Sequence, residues 1–290
     1  MNDKIRHNLL PLLAALIWGM AFSAQSVCAA YVGPFTLNAI RGAVAFVLLL
    51  LLCLVRKKRD IGARRDLILG GLICGLALFL ASNVQQLGIS GTSAGKAGFI
   101  TALYIVIVPV AGIFFRKKVG GRVWLAVAVA VAGMYCLCIT EQFTISAGDF
   151  YVLICAFLFA VQIMAVDHFV QKVDGIALSC AQFLVVAVLS SVGMAATEMP
   201  SWAGIAACIW PLLYIAVFSS CVAYTLQIVA QKGANPTVVS LLLSLESVFA
   251  AVGGAVLLHE RLTGRELLGC GLMMVAIVLA ELPDRKSQNA

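Results

Sequence analysis

The sequence predicts an all-α membrane protein of ten transmembrane helices, arranged as two inverted five-helix repeats. Three observations lead there. First, 62% of the 290 residues are hydrophobic and only 11% are charged, against about 25% charged in a soluble domain, and the mean hydropathy is +1.05. So little charge cannot cover a water-facing surface, which excludes a secreted, cytosolic or disordered protein. Second, apolar stretches of spanning length recur ten times. Third, the basic residues gather on alternate turns, and the two halves of the chain share one spacing.

A helix crosses the hydrocarbon with ~20 mostly apolar residues. Such stretches cover 9–28, 34–55, 67–87, 94–115, 123–140, 149–166, 176–196, 209–230, 236–258 and 264–281. Turn and charge signals separate them: Gly33-Pro34, Arg56 to Arg65, Gly88 to Gly91, Arg116 to Gly121, Glu141 to Gly148, Lys172 to Gly175, Met199-Pro200, Gly233 to Pro236 and His259 to Gly264. Strands of a membrane barrel alternate in polarity, and runs such as Phe46 to Leu54 do not.

Orientation follows from basic residues. With the N-terminus inside, the cytoplasmic segments hold Lys4, Arg6, Arg56, Lys57, Lys58, Arg59, Arg64, Arg65, Arg116, Lys117, Lys118, Arg122, Lys172, Lys232, Arg285 and Lys286. The other face holds Lys96, Arg261 and Arg265, and Arg41 lies inside a helix. Both termini are expected in the cytoplasm of a multi-pass plasma (inner) membrane protein. The net charge of +7 is thus a topology signal, and no nucleic-acid partner is expected. The first span is basic and then apolar like a secretory signal, but longer, so it is expected to stay as an anchor. The ten cysteines are scattered; even Cys136 and Cys138 face different ways on a helix. They read as small apolar fillers.

Shifting the chain by 143 residues lays Arg116 to Arg122 on His259 to Arg265, with the preceding spans starting at Ala94 and Thr237. Two repeats result, 1–140 and 148–282, followed by a cytoplasmic tail, 283–290. Five is odd, so the second repeat runs through the membrane upside down relative to the first. Inverted repeats enclosing a site near the mid-plane recur in secondary transporters.

Several motifs carry a family resemblance: Ala15-Leu16-Ile17-Trp18-Gly19 in the first span, Arg41 in the second, and Thr92 to Tyr104 opening the fourth. The fullest is Leu245-Glu246-Ser247-Val248-Phe249-Ala250-Ala251 continuing to Leu257 through Leu262. Together they resemble the EamA-like family of the drug/metabolite transporter superfamily over nearly the whole chain. The family often has proline after that glutamate, where this chain has Ser247. The resemblance implies ten helices in two inverted repeats, with helices 1, 3, 4, 6, 8 and 9 around a central cavity, and a leaning toward export of amino-acid-like metabolites.

A charged side chain at a span's centre costs about 2.5–3.5 kcal/mol on insertion scales, so it needs a partner or a wet cavity. Arg41 lies ~10 Å and Glu246 ~18 Å from the outer ends of their helices at 1.5 Å per residue. The ~8 Å offset is long for a direct pair and fits a solute or water between them. Arg41 bonded to backbone carbonyls, and a neutral Glu246 bonded to a neighbouring helix, are the alternatives. Lys96 either snorkels or attracts anionic solutes at an outer vestibule. Asn83 and Gln86, three residues apart, share a face toward a cavity or toward another helix. Asn38, Tyr104, Gln162, Tyr224 and Gln227 are further polar candidates for solute contact, Tyr224 and Gln227 sharing a face. Trp18 stacks a planar solute or packs between helices. Gly71 and Gly75 have the spacing of a helix-packing face. Pro109 removes a backbone hydrogen bond in mid-span and is a candidate gating point; Glu246 is a candidate proton carrier.

These features point to a secondary transporter moving a small polar or zwitterionic metabolite by alternating access, with the solute and the lipid bilayer as partners, as a monomer or homodimer. A multidrug or cationic-compound exporter is the alternative; a channel or membrane-embedded enzyme is weaker. His7, His168 and His259 fall at helix ends or outside spans, and no nucleotide-binding glycine motif is present. No catalytic residue, cofactor or metal is expected.

Overall fold

The computed structural model describes residues 3–57, 61–92, 94–114, 119–138, 146–257 and 263–281. The turns holding Arg116 to Lys118 and His259 to Leu262, the tail 283–290 and the side chain of Lys96 lie outside the described residues. Helices follow one another throughout: α1 (Asp3–Ala29), α2 (Pro34–Arg56), α3 (Arg64–Ile89), α4 (Ala94–Ala102), α5 (Tyr104–Phe114), α6 (Gly121–Cys138), α7 (Ala147–Val170) and α8 (Gly175–Thr197). The short α9 (Trp202–Ala207) precedes α10 (Ile209–Tyr214), a π-helical segment (Ile215–Ala223) and α11 (Tyr224–Gln231). Then come α12 (Pro236–Leu243), α13 (Glu246–Leu257) and α14 (Gly264–Glu281).

Among the described residues, seven stretches are long and apolar enough to cross a membrane: His7–Ala29, Pro34–Arg56, Arg64–Ile89, Ala97–Phe114, Ala147–Val170, Gly175–Thr197 and Ile209–Gln231. The stretches expected as the fifth, ninth and tenth spans are helical too, but shorter, interrupted or charged at the start. They are α6, the broken pair α12–α13, and α14 with Arg265 and Glu266 in its first turn. The architecture is therefore all-helical, with seven stretches of spanning length and shorter helices at the other three expected positions. Large apolar side chains such as Leu51, Leu72, Phe114 and Val192 stay exposed on the outside, as a surface facing lipid requires.

Helix starts follow local chemistry. Pro34 and Pro236 stand in the first turns of α2 and α12, where the missing N–H costs nothing. Ser146 and Asp149 cap α7 reciprocally, the capping-box arrangement. The interruptions have causes as well. Pro109 withholds an N–H within α5, and the turn before it tightens around Leu103: Leu103 N donates to Ile100 O at 3.2 Å and Val106 N to Leu103 O at 3.0 Å. Between α12 and α13 no proline is needed. Ser240 and Ser244 donate their hydroxyls back to Thr237 O at 2.9 Å and Leu241 O at 2.7 Å, competition that bends helices. Ser247 N then bonds Ser244 O at 3.2 Å. The helix is thus interrupted with Ser247, not proline, after Glu246.

Pairing is close. α2 packs on α8, α6 on α14, and α3 on both α7 and α8; α1 lies against α13, α11 and the π segment, and α4 and α5 against α7. The α3–α8 contact depends on glycine: a Cβ at Gly75 would fall 2.6 Å from Val185 Cβ, so the predicted packing role of Gly71 and Gly75 is what the interface uses. The α2–α8 pair is tied at both ends. At one end Glu198, following α8, accepts from Phe35 N at 2.9 Å, Thr36 N at 2.8 Å and Thr36 Oγ1 at 2.6 Å, satisfying the open N–H groups of α2. At the other, Asp174 caps α8 through Ile176 N and Ala177 N, both at 3.2 Å, and pairs with Arg56 of α2 at 3.1 Å. Glu198→Ala leaves two helix-start N–H groups without acceptors; by analogy with lost caps it should cost about 1–2 kcal/mol. A thermal midpoint within a degree of the parent in detergent would refute this.

Candidate functional site

The bundle encloses a cavity with about 480 Å³ of space not filled by protein atoms, part of it open to solvent. α1 supplies Trp18, Ala21, Phe22 and Gln25; α2 supplies Arg41; α3 supplies Gln85; and α4 and α5 supply Thr101 and Tyr104. Opposite stand Phe159, Gln162 and Ile163 of α7, Ser219, Tyr224 and Gln227 of the π segment and α11, and Leu243 and Glu246 at the α12–α13 break. The wall is thus drawn from the stretches that the resemblance implied, with Arg41 reaching in from α2 as well.

Arg41 and Glu246 share this cavity without touching. Among the described residues no ion pair joins them; each is held by hydroxyls. Arg41 Nε donates to Ser220 Oγ at 2.7 Å, and that hydroxyl donates to Ile215 O at 2.9 Å, five residues back along the π segment. Trp18 Nε1 donates to Ser219 O at 3.2 Å. The wider π turn thus offers both partners, and π segments often mark functional sites. Tyr104 donates its hydroxyl to Glu246 Oε1 at 3.4 Å. Tyr224 shares the cavity wall with both charges, and its ring meets Trp18 edge-on at 4.7 Å and Phe183 at 5.7 Å. The indole is therefore fixed by helix packing and still forms part of the wall.

Helix breaks bring the two acid–phenol partners together. Tyr104 opens α5 and Glu246 opens α13, so each sits where a span is interrupted beside the cavity. Irregular backbone at membrane depth is tolerated where it is buried in protein or lines a wet cavity. Close approach helps: a Cβ on Gly19 would lie 2.7 Å from Glu246 O and 2.9 Å from Ala250 N, so α1 lies directly on the start of α13.

Of the residues singled out from sequence, Trp18, Arg41, Tyr104, Gln162, Tyr224, Gln227 and Glu246 line the cavity. Asn38, Asn83 and Gln86 do not. Asn38 Nδ2 donates to Pro34 O at 2.9 Å and Asn83 Oδ1 at 3.2 Å, Asn83 Nδ2 to Phe79 O at 2.8 Å, and Gln86 Nε2 to Gln25 O at 3.1 Å. Asn83 and Gln86 bond to different helices. Pro109 is buried within α5 away from the cavity wall. Sequence reasoning passed over Gln25, Gln85, Thr101 and Ser219. Gln25 was findable, because Trp18, Ala21, Phe22 and Gln25 repeat at helical spacing on one face. Gln85 Nε2 donates to Thr101 Oγ1 at 3.2 Å, a pairing no single-helix pattern announces.

Comparison with known proteins follows from this geometry. The model of the EamA-like transporter family matches residues 6–139 and 146–282. An uncharacterized transporter of Archaeoglobus fulgidus is 28% identical over 278 residues, covering 93% of this chain and 84% of that protein. An uncharacterized transporter of Synechocystis sp. is 23% identical over 301 residues, covering 96% and 90%. A solved crystal structure superposes with a TM-score of 0.82 at 17% identity, covering 98% of this chain and 99% of its own, a likeness of fold. Gly19→Ala should cost about 1–3 kcal/mol by overpacking α1 on α13. Unchanged melting and unchanged yield would contradict that contact.

Proposed function

The chain belongs to the EamA-like transporter family, and on that footing we propose that it is a secondary transporter exporting a small polar or zwitterionic, amino-acid-like metabolite across the plasma membrane by alternating access. The observation that carries the reading is a pair of matched interruptions. α4 and α12 begin at Ala94 and Pro236, and α5 and α13 at Tyr104 and Glu246, each pair 142 residues apart. Interrupted helices in corresponding positions of two halves point to a transport site, and here the second pair supplies two residues of the cavity wall.

Other features support two inverted repeats, 1–140 and 148–282, with both termini cytoplasmic. The family model matches twice. Exchanging the first five spans for the last five turns the α3–α7 contact into the contact of α1 with α10–α11, and leaves α2–α8 and α6–α14 as they are. Polar bridges occur at both ends of the bundle: Thr92 Oγ1 to Asp149 Oδ1 at 2.6 Å at one, His7 Nε2 with Lys232 O at 3.0 Å at the other. Alternating access consists of releasing them one end at a time.

In this reading Arg41 receives the solute's carboxylate. Glu246 receives its ammonium group or carries the coupled proton, and Trp18, Asn38, Asn83, Gln86, Lys96, Tyr104, Gln162, Tyr224 and Gln227 complete or support the binding surface. The rings of Trp18, Phe22, Tyr104, Phe159 and Tyr224, which share the cavity wall with Glu246, favour a second reading, export of an organic cation, because aromatic faces attract cations. Arg41 on the same wall opposes it.

A thermal-shift screen of purified protein against metabolites and organic cations, followed by proteoliposome flux of each hit, tests the proposal. Stabilisation and counterflow by zwitterions are expected; hits confined to monovalent cations would replace it with the second reading. For such a substrate, Glu246→Gln should abolish pH-driven accumulation and spare exchange; retained pH-driven accumulation removes Glu246 as the proton carrier. Pro109→Ala should slow flux severalfold with binding retained, and an unaltered rate would end its role in gating.

A further inference from the structure

The cavity wall contains one amide whose orientation is dictated by a backbone carbonyl two residues away in a chain of hydrogen bonds. Ile163 O can only accept. Gln231 Nε2 donates to it at 2.9 Å, which turns Gln231 Oε1 toward Gln227 one helical turn earlier on α11. Gln227 must therefore present its NH2, and Nε2 donates both to Gln231 Oε1 and to Gln162 Oε1, each at 3.2 Å. Gln162 in turn donates to Gln182 Oε1 at 3.4 Å. Turning the Gln227 amide over would set its oxygen against Gln231 Oε1, which the bond to Ile163 O holds in place. The orientation is locked.

One atom of Gln227 is left over. Gln227 Oε1 is buried with no donor in reach, and Gln227 itself is 1% exposed. A buried acceptor without a donor is costly, and this one belongs to a residue lining the space a solute enters. Gln25 also has an unpartnered oxygen on the wall. No hydrogen bond among the described residues anchors its side-chain amide, however, so it can offer either end.

Resting on the transport reading above, we infer that Gln227 is a specificity-determining residue whose carbonyl oxygen accepts a hydrogen bond from an amine of the solute, and that Gln231 is the positioning residue that keeps it an acceptor. The two charges then gain a direction. Arg41 takes an acid group, whereas Gln227 rejects one, because a carboxylate brings no hydrogen to a locked acceptor.

Three probes sharing one butyl chain separate the contributions: norleucine with both groups, hexanoate with the acid alone, and pentylamine with the amine alone. Binding is measured by titration calorimetry on the full chain in nanodiscs, with gel filtration as the check on folding. Norleucine should bind the parent at least about tenfold tighter than hexanoate. In Gln227→Leu that ratio should fall below about threefold, and in Gln231→Leu, which keeps Gln227 but frees its amide, it should fall as well. A ratio in Gln227→Leu equal to the parent's overturns the specificity role, and one unmoved in Gln231→Leu overturns the positioning role. A parent that binds neither amine also overturns the inference, while any other zwitterionic hit leaves the transport reading standing. Pentylamine bound as tightly as norleucine, with the Gln227 dependence kept, would instead sink the zwitterion reading and leave this inference in place.

Discussion

In a bundle surrounded by hydrocarbon, each polar group inside must find its partner within the protein, and the arrangement of this chain follows from where those partners lie. Arg41 is the sharpest case. A buried guanidinium without a carboxylate beside it is held by Ser220, and Ser220 is free to hold it because the π turn brings its hydroxyl back to Ile215 O. The same turn leaves Ser219 O open to the Trp18 indole. One local widening of a helix therefore settles two residues of the cavity wall.

The breaks in the two discontinuous spans obey the same constraint. Between α12 and α13, serine hydroxyls take up the carbonyls of Thr237 and Leu241; around Leu103, short-range turns take up those of Ile100 and Leu103. The opening residues of the resumed helices, Tyr104 and Glu246, then bond to each other. Where the chain stops being a regular helix, its side chains become wall.

Much of this was legible beforehand. Apolar length and turn chemistry located the helices, and the scarcity of intramembrane charge singled out Arg41 and Glu246. The turn signals at Gly33-Pro34 and Gly233 to Pro236 mark real helix starts. The π segment was not legible, since Ile215 to Ala223 reads like any apolar helix. Nor was the break before Glu246, because two back-bonding serines look like ordinary helix-interface residues. Asn38, Asn83 and Gln86 show the limit of arguing from residue type. An amide within a span signals a need for a partner, and a neighbouring helix meets it as well as a cavity does.

The double tie between α2 and α8 has a mechanical consequence. Glu198 fastens one extremity and Asp174 with Arg56 the other, so these two helices cannot slide or splay without losing bonds at both extremities. They behave as a spine. Any rearrangement that admits a solute has to be hung from it, with the strain falling on α1, α7 and the interrupted helices.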